Sequence, residues 1–238
     1  MDESTEYYRR RLPHYQPLRA TFFVTFRLAD SLPEKVIVEL MRERRIREMA
    51  VAKQTDSKKK QFLLDEERKR YFGKFDHWLD NASTGPKWLA QDEIASIVAE
   101  AIRHRDGKEY DLLAYCIMSN HVHMLIELDE KDASNVLRAS ARRGTMEQRR
   151  TEVRPTSTYA LTAILRMIKG STARECNKLL ARTGSFWHHE SYDHVVRNSG
   201  ELEKILWYVI QNPVKAGLCN DWQDWKWTYL KNGLIEIS

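Results

Sequence analysis

The period of the apolar positions changes several times along the chain, and these changes predict the order of its elements. Alternating or continuous apolar runs predict four strands, at 20–28, 111–118, 121–128 and 192–196. Apolar residues at helical spacing predict helices over 34–71 with a polar break at 53–60, and over 91–103, 160–181 and 201–211. The stretch 76–89 contains Gly85-Pro86 and is predicted to be loop and short helix.

The order strand, helix, strand, strand, helix, strand is the ferredoxin-like α+β pattern, with an antiparallel sheet and helices packed on one face. Two segments do not belong to that pattern. A helical, basic insertion lies near 34–75, and residues 129–158 lack apolar periodicity, which predicts a mobile insertion or a partly helical lid. The 238 residues, 42% of them hydrophobic, suffice for one sizeable core, so we expect a single domain over 1–238.

The sequence Asn120-His121-Val122-His123 lies between two apolar runs. Side chains two apart on a strand share a face and lie about 6.6 Å apart along the chain, at roughly 3.3 Å per residue. His121 and His123 can therefore face one metal ion while Val122 packs in the core. For a His-x-His taken alone, two partly exposed histidines at a strand start are the simpler interpretation, so the context must decide.

The helix at 201–211 runs into Asn212-Pro213 and carries a second group of candidate residues. Tyr208 and Asn212 are four residues apart and so share a helical face. Tyr208 alone is typical of a core aromatic with a satisfied hydroxyl. Asn212 alone is typical of an N-cap for a new turn that begins at Pro213 and closes at Gly217.

Together these segments resemble the REP-associated tyrosine transposases, relatives of the single-tyrosine transposases with the His-hydrophobic-His (HUH) nuclease site. The resemblance rests on six blocks in the same order, namely 22–28, 85–89, 118–123, 168–174, 192–197 and 208–218. Ser119 stands where the family usually has proline, a change that should alter the turn and not the ligands. The resemblance implies the HUH nuclease fold.

The resemblance also implies a role for each residue of the two motifs. His121, His123 and Asn212 would bind a divalent metal, Mg²⁺ or Mn²⁺, and Tyr208 would be the nucleophile that attacks a DNA phosphodiester. Tyrosine is a poor nucleophile while protonated, with a pKa of about 10, and a nearby cation would help it ionise. A covalent phosphotyrosine would keep the bond energy for a later resealing step, so no ATP site is required.

The donor types leave the metal open, because two imidazoles and an amide oxygen suit several first-row ions. Cys116, Cys176 and Cys219 are scattered, which argues against a structural zinc site and against a disulfide framework. The N-terminal segment is charged and polar, without the pattern of a signal peptide, and no apolar run is long enough to span a bilayer. We therefore expect a protein of the bacterial cytoplasm, associated with the nucleoid and with no membrane partner.

The net charge of +5 is only mildly basic, so the distribution of the cations matters more than their number. Clusters occur at 42–47, 58–60, 68–70 and 142–154, and each can equally be a solvated helical face. The family-like blocks contain four candidate phosphate contacts, namely Lys169, Arg174, Arg197 and Lys215.

Two functions of different classes follow from the sequence. The first is a metal-dependent single-stranded DNA endonuclease and strand transferase that cleaves hairpin-forming REP-type repeats, acting as a monomer or homodimer on single-stranded or hairpin DNA. The second is a DNA-binding protein that recognises such repeats without cutting them and serves regulation or repeat organisation. The presence of His121, His123 and Tyr208 favours the first. A phosphoesterase with two His-x-Ser/Thr motifs ranks low, since only His189-Glu190-Ser191 offers a second motif.

Overall fold

The computed structural model describes residues 19–147 and 160–235, and within these ranges it has one five-stranded antiparallel sheet. The strands are β1 (Ala20–Leu28), β2 (Asp111–Ile117), β3 (His121–Leu128), β4 (Trp187–Val195) and β5 (Thr228–Leu230). The helices are α1 (Glu34–Ala52), α2 (Ser57–Asp80), α3 (Asp92–Arg103), α4 (Glu130–Glu147), α5 (Ala160–Leu179) and α6 (Ser199–Lys215). The sheet order is β4-β1-β3-β2-β5, so its first four strands have the predicted ferredoxin-like arrangement.

The alternation of β1 and β3 divides the core between the two faces of the sheet. Phe22, Val24 and Val122 are fully buried on the face that α3 and α5 cover. Phe23 and Leu125 pack on the opposite face. His121 and His123 lie on that opposite face, where they pair in register with Arg27 and Thr25 of β1. The prediction that Val122 packs away from the histidines is confirmed.

Helices cover both faces of the sheet, and this differs from the expectation of helices on one face. The two helices that belong to the ferredoxin-like pattern, α3 and α5, do share a face. The helix that carries Tyr208, α6, packs on the other face through Leu206 and Val209, and Phe72 of α2 joins it there. The insertion between β1 and α3 therefore supplies a second covering layer, and the histidines lie beneath it.

The helical insertion is a hairpin of α1 and α2, and α2 runs nine residues further than the helix predicted to end at Tyr71. The prediction of loop and short helix over 76–89 is therefore wrong for its first five residues, which belong to α2, while a short helical turn does occur at Trp88–Ala90. The apolar spacing continues through Phe72 and Leu79, both buried. The polar residues Asp76 and Asp80 between and after them concealed that periodicity.

The end of α6 also differs from the expectation. Asn212 does not cap a new turn, because α6 continues through Pro213 to Lys215. Gly217, at φ 67°, ends the helix, with its N–H donating to the Val214 carbonyl and that of Leu218 donating to the Pro213 carbonyl. Asn212 is consequently one turn beyond Tyr208 on the same helix face, and it is fully buried.

Of the segment 129–158, residues 130–147 form α4, and 148–158 lie outside the described residues. The C-terminal aromatics pack on the body of the protein, because Trp227 is buried and Tyr229 of β5 stacks on Tyr115 at 5.6 Å between ring centroids. In the two described ranges, no helix has the length and apolar character needed to cross a membrane.

Candidate metal centre and facing tyrosine

Three buried donor atoms converge beneath α2. His121 Nε2 and His123 Nε2 lie 2.9 Å apart. Asp76 Oδ1, from α2, lies 3.3 Å from His123 Nε2 and 3.9 Å from His121 Nε2. The two histidines are fully buried and Asp76 is 3% exposed. Among the described residues these three form a group that could hold a metal ion.

The hydrogen bonds of Asn120 fix the tautomer of His121. Asn120 Nδ2 donates to the Leu79 carbonyl at 2.9 Å, so the atom that faces His121 Nδ1 at 2.7 Å is Asn120 Oδ1. An amide oxygen only accepts, and Nδ1 must therefore carry the proton. A neutral His121 then presents its Nε2 lone pair to the centre. The same Asn120 side chain ties the last turn of α2 to the histidine strand.

His123 is oriented by the neighbouring strand, because its Nδ1 lies 2.8 Å from Thr25 Oγ1. The Phe23 ring stacks on the imidazole at 5.7 Å between centroids. Both contacts come from the strand that pairs with β3, so the sheet itself sets the direction in which Nε2 points. Hydrogen bonds of this kind fix the ring of a metal-binding histidine.

Thr25→Val keeps the shape of the side chain and removes its hydroxyl. We expect it to weaken Mn²⁺ binding by about 10- to 100-fold, because His123 loses the partner that orients it. The measurement is a titration followed by electron paramagnetic resonance of free Mn²⁺. Thr21→Val is the matched control, on the same strand and four residues away. Equal affinities for both variants would contradict the role assigned to Thr25.

Burial keeps the imidazoles neutral. It lowers the pKa of His121 to about 3, with a further contribution from the charge of His123. It likewise lowers the pKa of His123 to about 3, helped by the Lys215 cation. Burial acts in the opposite sense on the acids: it raises the pKa of Asp76, and burial with the Asp76 charge raises the pKa of Asp80 to about 7. Neutral imidazole is the form that binds metal ions.

The tyrosine reaches this centre from α6. Its hydroxyl donates a hydrogen bond to Asp76 Oδ2, while the other oxygen of that carboxylate faces the imidazoles. Burial, and then the charge of Asp76, raise the pKa of Tyr208 well above its ordinary value. The Lys215 ammonium lies 4.7 Å from the centroid of the Tyr208 ring. One chain therefore brings the tyrosine to its own histidines.

The buried polar atoms around the centre fit a divalent cation. Asp76 Oδ1 and both polar atoms of the Asn212 side chain are buried without a hydrogen-bond partner of ordinary geometry among the described residues. The Asn212 amide nevertheless lies near enough to Asp76 and Tyr208 to lower the pKa of each. Neighbouring ligands of an octahedral ion lie about 3 Å apart when each is about 2.1 Å from the metal, close to the separations found here. Imidazole, carboxylate and amide oxygen form a donor set that suits Mn²⁺ and Mg²⁺.

The structure adds two acids that the sequence analysis missed, Asp76 and Asp80. Asp80 Oδ1 is buried, lacks a hydrogen-bond partner in the described part of the chain, and lies 3.7 Å from His121 Nε2. The available signal was their spacing of four residues on the apolar face of α2, next to Phe72 and Leu79. Carboxylates on a buried helix face are costly unless they have a partner, and they are therefore candidates for a functional site.

The four candidate phosphate contacts are not in one place. Lys215 lies over the Tyr208 ring. Arg197 is exposed and forms an ion pair with Asp65 of α2 at 2.6 Å. Arg174 is exposed on α5, on the other side of the sheet from the tyrosine. Lys169, also on α5, donates to the His189 carbonyl at 3.0 Å and to Ser191 Oγ at 3.2 Å, and so joins α5 to β4.

The fold and the centre define a class of α+β protein, in which a His-hydrophobic-His pair on a ferredoxin-like sheet faces a tyrosine on a helix. That class is the one predicted by the resemblance to the REP-associated tyrosine transposases. Comparison with known proteins supports the same similarity.

No family model matches the chain. A curated relative from Haemophilus influenzae, described as a "Putative REP-associated tyrosine transposase", is 24% identical over 124 residues, which are 50% of this chain and 58% of that protein. A solved structure of a REP-associated tyrosine transposase bound to a REP hairpin aligns with 96% of this chain and 82% of its own, at 15% identity and a TM-score of 0.45. The chain is thus similar to REP-associated tyrosine transposases, as the sequence motifs indicated, and the match spans somewhat over half of the curated relative.

Proposed function

We propose that this chain is a metal-dependent single-stranded DNA endonuclease and strand transferase that cleaves hairpin-forming REP-type repeats through a covalent bond to Tyr208. One observation carries the proposal: a single carboxylate, Asp76, accepts the Tyr208 hydroxyl with one oxygen and faces two neutral imidazoles with the other. The nucleophile and the candidate metal centre are therefore neighbours. The name of the curated relative supports the choice of repeat DNA as substrate.

His121, His123, Asp76 and Asn212 would hold Mg²⁺ or Mn²⁺. When bound, the cation supplies positive charge that neutralises a phosphate oxygen and favours the tyrosinate. The residues of the chain provide the rest. Asp76 Oδ2 holds the Tyr208 hydroxyl and is placed to accept its proton, a role for which the sequence alone offered no candidate.

The reaction exchanges one phosphoester for another. The Tyr208 oxygen forms a bond to phosphorus, the bond from phosphorus to one bridging sugar oxygen breaks, and the released sugar hydroxyl takes up a proton. Lys215, exposed beside the tyrosine ring, is placed to contact a phosphate of the strand that reaches Tyr208. A later attack by a sugar hydroxyl on the phosphotyrosine reverses these bond changes and joins a strand without a nucleotide cofactor.

The test is incubation of the chain with labelled hairpin DNA from repeats that flank its gene, in Mg²⁺ or Mn²⁺, followed by denaturing electrophoresis. We expect a covalent protein–DNA adduct that is lost in Tyr208→Phe and with chelator. Tyr192→Phe is the matched control, since Tyr192 is a second tyrosine of the same aromatic cluster, 4.2 Å from Phe72 between ring centroids. Salt-sensitive binding by every variant without an adduct would instead support the repeat-binding protein that does not cut.

A further inference from the structure

One face of α2 contacts the sheet and α6 from Asp65 to Asp80. Asp65, Lys69, Phe72, Asp76 and Asp80 follow one another at spacings of three or four residues and therefore share that face. The outer two form ion pairs, Asp65 with Arg197 at 2.6 Å and Lys69 with Glu201 at 3.0 Å.

The inner three residues of this face contact the tyrosine and the histidines. The Phe72 ring packs against Phe23 and Tyr208, at 5.3 and 6.0 Å between centroids. Asp76 accepts from Tyr208, and Asp80 faces His121. A single helix thus contacts the tyrosine and both histidines.

This contact closes the centre. His121, His123 and Asn212 are fully buried, and the hydroxyl of Tyr208 is turned towards Asp76. In-line attack requires the phosphorus to come within contact distance of that hydroxyl. While α2 lies in place, Phe72 and Asp76 occupy the space beside that hydroxyl. The outer part of the helix must therefore move before a DNA strand can reach Tyr208, while Asp76 stays near the centre at the inner end.

The two ends of α2 are held differently. The inner end is fixed by Asn120 Nδ2, which donates to the Leu79 carbonyl at 2.9 Å, and by the close packing of Gly85 on the backbone of Asp30. The outer end is held by two ion pairs whose cations are about half exposed, 47% of the Arg197 side chain and 44% of the Lys69 side chain, while their carboxylates are 10% and 15% exposed. Because the cations reach solvent, salt screens these pairs in part, and both can exchange their partner for a dissolved anion. The outer end is therefore the end that opens.

We propose that α2 is an autoinhibitory cover, latched by Asp65 on Arg197, and that the DNA backbone releases it by offering Arg197 a phosphate in place of the Asp65 carboxylate. This inference rests on the proposed function, because the phosphate that Arg197 would bind belongs to the DNA substrate proposed above. Arg197 contacts Asp65 through one N–H group, and a guanidinium has further donors that can bind a phosphate at least as readily as a carboxylate. Binding of the strand and exposure of Tyr208 then become one event.

The test compares Asp65→Asn with Glu66→Gln. Both remove one negative charge from the same turn of α2, but Glu66 is exposed and pairs with Lys69 on its own helix. In chelator, we expect Asp65→Asn alone to speed amide hydrogen exchange over residues 58–72. We also expect Asp65→Asn alone to bind a fluorescein-labelled single-stranded oligonucleotide about two- to fivefold more tightly, because a larger fraction of its molecules has α2 open. In high salt the exchange difference should shrink, because the latch of the unsubstituted chain is screened.

Lys69→Gln, which breaks the second ion pair, should act in the same direction as Asp65→Asn on hydrogen exchange. Equal gains in DNA affinity for Asp65→Asn and Glu66→Gln would overturn the proposal, because bulk charge would then explain both. Unchanged exchange in Asp65→Asn would overturn it as well. These measurements need no cleavage, so the failure of the proposed function, seen as no Tyr208 adduct with metal, is separate from the failure of the latch.

Discussion

Mn²⁺ titrated into the Asp76→Asn variant is expected to bind about a hundredfold or more weakly than to the unsubstituted chain, because a charged ligand is lost. The metal-free variant is nevertheless expected to be the more stable protein. Asp76 is 3% exposed, and burial raises its pKa, which means that its charge is costly in the absence of a cation. An amide of the same shape removes that cost, which we place at about 1–3 kcal/mol. For a chain of this size the midpoint of unfolding should rise by about 2–4 °C per kcal/mol.

Isothermal titration calorimetry and thermal unfolding with chelator measure the two effects separately. Asp80→Asn is the control for the metal titration, since Asp80 lies one turn further along α2 and outside the group of three mutually close donors. We expect it to change the affinity for Mn²⁺ much less. Unchanged Mn²⁺ affinity in Asp76→Asn would show that the ion binds elsewhere. A lower unfolding midpoint in that variant would show that the carboxylate stabilises the metal-free fold.

The second large effect concerns pH. Burial and the neighbouring Asp76 charge raise the pKa of Asp80 to about 7, whereas an unfolded chain would give about 3.9. Between these values the folded state binds more protons than the unfolded state. The folded state therefore favours the protonated Asp80 carboxyl. The free energy of unfolding is highest in this respect below about pH 4, and this stabilisation is lost as the pH rises to about 7. Asp80→Asn removes this loss.

Chemical denaturation with chelator at several pH values measures the difference between Asp80→Asn and the unsubstituted chain. We expect the advantage of the variant to grow from near zero at pH 4 to about 2–3 kcal/mol at pH 7, after allowance for partial solvent screening. The buried histidines, whose pKa values are lowered to about 3, give a slope of the opposite sign. They are present in both proteins, so their contribution cancels in the difference. An advantage independent of pH would mean that the pKa of Asp80 is unshifted in the folded protein.

The sequence was a good guide wherever a single period governed the pattern. Both bounds of β1 and β3 were predicted correctly, and the sheet order follows the predicted topology. The alternation about Val122 correctly placed His121 and His123 on one face. The separation of four between Tyr208 and Asn212 correctly placed them side by side, although the helix had to continue through Pro213 for this to hold.

The sequence was a poor guide where tertiary contacts override local preference. Asp76 and Asp80 are polar residues on the buried face of α2, and so they interrupt its apolar pattern. They are tolerated there because they have partners on β3 and α6, between 41 and 132 residues away along the chain. Nothing near them in the sequence indicates those partners. Pro213 predicts a helix end by local rules, but the packing of α6 on the sheet and the cap at Gly217 keep the helix intact to Lys215.

The chain enters and leaves the hairpin of α1 and α2 at one point. Gly85 has φ 90°, and a Cβ on it would lie 2.6 Å from the Asp30 carbonyl oxygen. The backbone that enters the hairpin at Asp30 and the backbone that leaves it at Gly85 are therefore in contact. A segment whose ends meet can be lengthened, shortened or exchanged without displacing the strands on either side. The donors are therefore divided between two parts of the chain. The sheet holds the imidazoles, and the hairpin, which joins the sheet at a single point, holds the carboxylates. Chimeras that exchange only residues 32–84 would alter the charge and accessibility of the centre while the strand register stays as it is.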